Sequence, residues 1–195
     1  MQGRFAVYCI RIRFGLINVH LKLYNSLKKI LLLSDTHGHL DNSILKYVKQ
    51  ADEVWHAGDI GDLNVTDTIE KLKPLKAVYG NIDGQEARVT FPEFQHFYCE
   101  KVQVLMTHIG GNPGRYNPKV REALSKSFPK IFICGHSHIL KVMQDKKYNH
   151  LHMNPGAAGV QGFHKIRTML RFEINGAKIE NLEAIELGIR GSVKD

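Results

Sequence analysis

The chain has 195 residues, 43% hydrophobic and 24% charged, which suits one globular domain with a core of its own and excludes a disordered or fibrous protein. The formal charge of +8 is unevenly spread: residues 1–28 hold Arg4, Arg11, Arg13, Lys22 and Lys28 and no acid, and without those five the surplus is +3. With so small a remainder, and no basic stripe interleaved with aromatics, composition gives no strong nucleic-acid signal.

The first 27 residues read as an extension outside the fold. Phe5–Ile10 is apolar, but Arg11 and Arg13 interrupt it before a signal-peptide core or a membrane span is complete. Leu27-Lys-Lys-Ile-Leu-Leu-Leu is a candidate translation start, since bacteria can initiate at a leucine codon; expressing residues 27–195 tests this. A domain over 28–190 and a short tail over 191–195 complete the division. Cys9, Cys99 and Cys134 are widely spaced and form no CxxC pair, so neither a disulfide framework nor a thiolate metal site is indicated and a cytoplasmic setting is expected.

From Leu31 the elements alternate. Leu31-Leu-Leu is a short buried strand that stops at Asp35-Thr-His37. Leu40–Gln50 has Leu40, Ile44, Leu45 and Val48 at helical spacing, with Asp41 or Asn42 as N-cap. A second strand over Glu53–Gly58 ends at Asp59, a helix follows over Asn64–Lys73, and a third strand over Leu75–Tyr79 ends at Gly80-Asn81. This βαβαβ order predicts a largely parallel sheet. Phe94–Cys99 and Val102–Thr107 then read as a hairpin that ends at His108. Gly110–Pro118 and Asn154–Gly159 are loops, a helix lies between Tyr116 and Phe128, and Lys130–Cys134 is a strand ending at Gly135-His136-Ser-His138. Lys141–Gln144, Asn149–Met153, Thr168–Ile174 and Lys178–Glu186 close the chain as antiparallel strands.

Asp35, His37, Asp59, Asn81, His108, His136 and His138 all stand at or just past the C-terminal end of a predicted strand, about one βα unit apart, where α/β sheets gather ligands. Seven such ligands exceed one open transition-metal site but suit two ions that share a carboxylate, with Asp59 as the natural bridge. Oxygen and imidazole donors without thiolate fit two divalent cations, with manganese, nickel, cobalt, iron and zinc all compatible and the sequence not choosing among them. His56 and His39 are candidates to orient ligands from behind, and Arg115 to reach a substrate phosphate. His20, His96, His150 and His164 are read as surface or internally satisfied histidines, and Asp62 and Asp83 as caps or turns.

Asp35-Thr-His37-Gly, Gly58-Asp59, Gly80-Asn81-Ile-Asp83, Thr107-His108 and Gly135-His136-Ser-His138 together resemble the calcineurin-like metallophosphoesterase superfamily, in particular its small YfcE-like phosphodiesterase branch. The resemblance runs from about Lys28 almost to the C-terminus. It implies a four-layer αββα sandwich of two mixed sheets, whereas the residues alone predict one sheet. It also assigns Asp35, His37, Asp59 and His138 to a first metal and Asp59, Asn81, His108 and His136 to a second, with Asp59, Asn81 and His108 at the catalytic centre. Two cations about 3.5–4 Å apart can activate a bridging hydroxide for direct attack on phosphorus. The implied activity is hydrolysis of a small phosphodiester, by a monomer or a homo-oligomer that needs no membrane. The alternatives are a phosphomonoesterase, or a non-catalytic scaffold like the retromer subunit of the same fold. Larger members resemble a Gly-Asn-His pattern where this chain has Gly80-Asn81-Ile82, so no histidine acid is expected there and rates should depend steeply on leaving-group pKa.

Overall fold

The computed structural model describes residues 27–192. The predicted extension over 1–27, apart from Leu27, the histidine His20 and the thiol of Cys9 lie outside the described residues, as do residues 193–195 of the tail.

Two five-stranded sheets face each other. The first is built from β1 (Lys28–Leu33), β2 (Glu53–His56), β3 (Leu75–Ala77), β11 (Ile166–Asn175) and β12 (Lys178–Ile189), in the order β12-β11-β1-β2-β3. The second contains β4 (Phe94–Cys99), β5 (Val102–Thr107), β8 (Ile131–Ile133), β9 (Leu140–Asp145) and β10 (His150–Pro155), in the order β4-β5-β8-β10-β9. Strands β1, β2 and β3 run parallel, as do β5, β8 and β10; β11 is antiparallel to both β1 and the edge strand β12, and the edge strands β4 and β9 are antiparallel to their neighbours. The expectation of a single sheet is corrected, and the αββα arrangement holds.

The period-2 alternation of side chains accounts for the layers. Ile30 and Leu32 of β1 face the second sheet and share a core with Trp55, Met106, Ile131, Ile133 and Phe172. Leu31 and Leu33, on the opposite face, pack with Ile44, Val48 and Ile69 from helices α1 (Asn42–Gln50) and α2 (Asn64–Glu70). On the far side, Leu105 and Phe132 pack with Val120 and Leu124 of α4 (Pro118–Ser127). Trp55 anchors the central layer: it is fully buried, edge-on to Phe97 and Phe172, and its indole N–H donates to Glu53 Oε1 at 2.7 Å.

Local signals set the helix ends. Asp41 caps α1 by accepting from the Ile44 amide at 3.0 Å. Asn117 caps α4 in the same way through the Val120 amide, and Pro118 occupies the first turn. Helix α2 stops at Glu70, three residues before its predicted end. A short helix α3 (Gln85–Thr90) was not foreseen, and the predicted loop over Gly110–Pro118 contains a small hairpin of β6 (Gly111–Asn112) and β7 (Arg115–Tyr116).

Candidate metal centre

The C-terminal ends of β1, β2, β3, β5 and β8 deliver their loops to one edge, where backbone bonds continue the ladder past the strands. Asp35 N–H donates to Gly58 O and His37 N–H to Asp59 O, while Gly135 N–H donates to His108 O in the second sheet. The sheets are stitched together by His108 Nδ1–H to Ala57 O at 2.8 Å and by His136 N–H to Asp35 Oδ2 at 3.1 Å.

Asp35, His37 and His138 form one cluster and Asp59, His108 and His136 another; within each, one ligand atom per residue lies within 4.8 Å of the others. Asp59 joins them, with Oδ1 at 3.1 Å from His108 Nε2 and Oδ2 at 3.8 Å from His37 Nε2. Six of the seven predicted ligands therefore meet as two adjoining triads. The seventh, Asn81, sits on the exposed turn after β3. Its neighbour Ile82 donates its amide to Asp59 Oδ1 at 3.1 Å, and a Cβ on Gly80 would stand 2.0 Å from that oxygen, so only glycine lets the turn close on Asp59.

The backbone is strained where the candidate ligands are. Asp35, His37, Asp59, His136 and His138 all have positive φ, between 50° and 68°. Left-handed geometry costs a non-glycine residue on the order of 1 kcal/mol or more, and it persists only where surrounding structure enforces it. Asp83 supplies part of that enforcement. Its buried carboxylate accepts from the amides of Ile60, Gly61 and Gly80 at 3.1, 2.8 and 2.6 Å, clamping the Asp59 loop to the Asn81 turn.

Hydrogen bonding sets the tautomers. His108 commits its Nδ1 proton to Ala57 O, so Nε2 is the ring nitrogen turned toward Asp59. His164 Nε2–H donates to Gly159 O at 3.1 Å, so its Nδ1 accepts from His138 Nδ1–H at 3.2 Å. His138 then presents a bare Nε2 to Asp35 Oδ1 at 3.2 Å. At each contact the carboxylate's charge is offset only by a proton on Nε2 or by a cation between the two atoms. Buried Asp35 Oδ1, His37 Nε2 and His108 Nε2 have no hydrogen-bond partner, which would cost about 1–3 kcal/mol apiece if nothing else bound them. The donor set and these orphaned atoms fit divalent cations. In the ion-free protein, burial disfavours a charge on His108, but Asp59 and Asp35 outweigh it and raise its pKa. Burial likewise works against an ionised Asp59, and His108 with the Ile82 amide overrides it to lower that pKa.

The remaining candidates divide. His56 is fully buried behind the ligands, its Nε2–H bonded to Thr36 Oγ1 at 2.9 Å and its Nδ1 accepting from Gly58 N–H at 3.2 Å; burial pulls its pKa down to about 4. It fastens the two loops that carry Asp35, His37 and Asp59. His39 bonds instead to Asp41 Oδ2 at 3.1 Å, beside the helix cap. Arg115 is exposed on β7 and lines, with Arg121, Lys147 and Tyr148, a cavity of about 180 Å³ that includes none of the seven ligands. His164, read from sequence as unremarkable, is the residue that orients His138. No strand end or spacing marks it; the one hint is Gly162 at φ 113°, where a Cβ would lie 2.3 Å from His138 Nδ1.

A sequence model described as the calcineurin-like phosphoesterase superfamily domain matches residues 29–177. A curated relative, a probable metallophosphoesterase of Methanothermobacter thermautotrophicus, is 22% identical over 156 residues, covering 76% of this chain and 87% of the relative. An archaeal protein described as a novel phosphodiesterase superposes with a TM-score of 0.62 at 23% identity, over 82% of this chain and 99% of its own. Wild-type Vps29 of Entamoeba histolytica, in complex with Zn²⁺, gives 0.62 at 15% identity, over 81% and 98%.

Proposed function

The chain belongs to the calcineurin-like phosphoesterase superfamily, and from that premise we propose that it is a metal-dependent phosphodiesterase acting on small phosphate diesters in a reducing cytoplasm. The observation that carries this reading is the convergence of two adjoining triads of carboxylate and imidazole donors, with His108 Nε2 at 3.1 Å and His138 Nε2 at 3.2 Å from a carboxylate oxygen. Asp35, His37, Asp59 and His138 would hold one divalent ion and Asp59, Asn81, His108 and His136 the other, with manganese the first expectation. Such ions supply Lewis-acid polarisation of the phosphoryl oxygens and lower the pKa of water.

The chain's own residues do the rest. Asp59 sits between the triads and keeps them in register. His164 and Ala57 O hold His138 and His108 in the tautomers that leave Nε2 free. Water attacks phosphorus directly in this reading, and the described thiols, Cys99 and Cys134, offer no competing nucleophile: both are buried, and burial pushes their pKa values up to about 11 and about 12. Residues 28–190 form the catalytic domain in this reading, with 1–27 and 191–195 outside it. No helix among the described residues is long and apolar enough to cross a membrane.

A second reading, a scaffold that binds partners, draws on the likeness to Vps29. Because that protein is itself in complex with Zn²⁺, metal content alone does not separate the two. Metal analysis together with turnover of bis-p-nitrophenyl phosphate does. Two ions per chain and hydrolysis are expected; two ions without hydrolysis of any ester would favour the scaffold.

A further inference from the structure

Large exposed apolar side chains scattered over a surface need no explanation, but four of them here adjoin the proposed ligands in sequence or in contact. Ile82 directly follows Asn81, Ile109 follows His108, and Ile139 follows His138; each is about half exposed. The fourth, Phe163, is 80% exposed and stacks on the His138 ring at 5.7 Å between centroids, with 19° between the planes. Neighbouring Cα atoms are about 3.8 Å apart, so the three isoleucines start from backbone that adjoins the converging triads.

Phe163 is held there by its neighbours. Gly162, without a side chain, presses against His138 Nδ1, and His164 bonds both His138 and Gly159 O, so the chain is fixed on either side of an aromatic ring left in solvent. Ile82 is fixed by its amide bond to Asp59 Oδ1. Ile109 is fixed by its carbonyl, which accepts from Asn117 Nδ2 at 2.6 Å. A site built for a sugar or another hydroxyl-rich group would place donors and acceptors at such positions.

We propose that Ile82, Ile109, Ile139 and Phe163 form an apolar collar that selects phosphodiesters bearing an aliphatic or aromatic alcohol on the ester that is retained. This rests on the phosphodiesterase reading and adds the substrate class to it. The leaving group must be kept constant in the test, because Ile82 also removes a candidate acid. The metal-loaded full chain is therefore assayed with p-nitrophenyl methyl phosphate and p-nitrophenyl hexyl phosphate. In parallel, the affinities of the O-methyl and O-hexyl monoesters of methylphosphonic acid, whose P–C bond resists hydrolysis, are measured by calorimetry.

Each buried methylene contributes about 0.8 kcal/mol, so even partial cover of five should lower KM and Kd for the hexyl member at least about tenfold. Phe163→Ala and Ile139→Ser should each shrink that ratio about threefold or more. Equal affinities for methyl and hexyl, as a collar that instead receives a protein partner would give, overturn the proposal, as does an unchanged ratio in both variants. Absence of hydrolysis with a preserved hexyl preference in calorimetry would sink the enzyme reading and leave the collar standing.

Discussion

Asp59 approaches a histidine of each triad, His108 through Oδ1 and His37 through Oδ2, which makes it the most sensitive position in the proposed centre. Asp59→Ala would leave two incomplete shells whose ions repel, so both ions and all turnover should be lost. Asn81→Ala, on the exposed turn, should weaken one site and leave the other occupied. Counting bound metal per chain by elemental analysis separates these outcomes, and an Asp59 variant that keeps two ions contradicts the shared ligand. His164 acts one bond further out. Burial lowers its pKa and keeps the ring neutral, so its Nδ1 can receive the His138 proton. Removing such an outer partner typically costs about 10- to 100-fold in metal affinity. Competition with a chromophoric chelator should show that loss in His164→Ala, with the fold intact by circular dichroism.

Ligand-bearing loops need elements that hold them in place, and Asp83 is the best case. Three backbone amides from two separate loops depend on its carboxylate, and Arg88 in α3 clasps the same turn through the carbonyls of Gly80, Asn81 and Asp83. Asp83→Ala strands three amide donors, two of them buried, and a loss of about 2 kcal/mol or more is expected from urea unfolding. A change under about 0.5 kcal/mol, the scale of an ordinary surface substitution, would mean the clamp is unimportant. Asp83 reads from sequence as a turn residue, which it is; that it spans two loops depends on contacts 22 and 23 residues apart. The same physics decides what else was legible. The β4–β5 hairpin appears in the sequence with its observed ends, since strand pairing across two residues is local. The second sheet does not appear, because β1 is apolar on both faces and its residues alone do not say which face meets helices and which meets strands. Helix α3 buries only Ala87 and leaves no periodic trace. The candidate ligands stand out in the sequence because strand ends are where chemistry collects, but the left-handed backbone that aims five of them is set by partners across the loops.

Across the whole molecule, several loops and both sheets are tied by groups whose protonation matters. Burial would raise the Asp41 pKa, yet the Arg167 guanidinium, Ser43, the Ile44 amide and His39 hold it well below the usual carboxylate range. Arg167 is itself buried and also donates to Ala158 O, joining the cap of α1 to the loop before β11. A depressed carboxylate contributes stability above its unfolded pKa of 3.8 and loses it only as pH falls further, so this tie does not weaken in mild acid. The histidines set the mild-acid limit. His152, between Phe132 and Tyr116 beneath α4, is pulled down to about 4, by burial first and then by His150 and Lys141, and His56 falls to about the same value. Each is neutral in the fold but takes up a proton on unfolding below its unfolded value of 6.5. The unfolded state therefore binds more protons between pH 6.5 and 4, and stability must fall as pH drops through that window. His108, raised in the ion-free protein, works in the opposite sense: its contribution is complete below 6.5 and is lost as pH rises through its folded pKa. With metal removed by chelator, so that ion release adds nothing, urea unfolding from pH 6 to 4.5 should show a positive slope of stability against pH. His152→Gln removes one such proton and should flatten that slope by up to about 1.4 kcal/mol per pH unit. A slope unchanged by the substitution would mean that His152 is already protonated in the folded protein, and that the Tyr116 hydroxyl and the ring stack accommodate a cation.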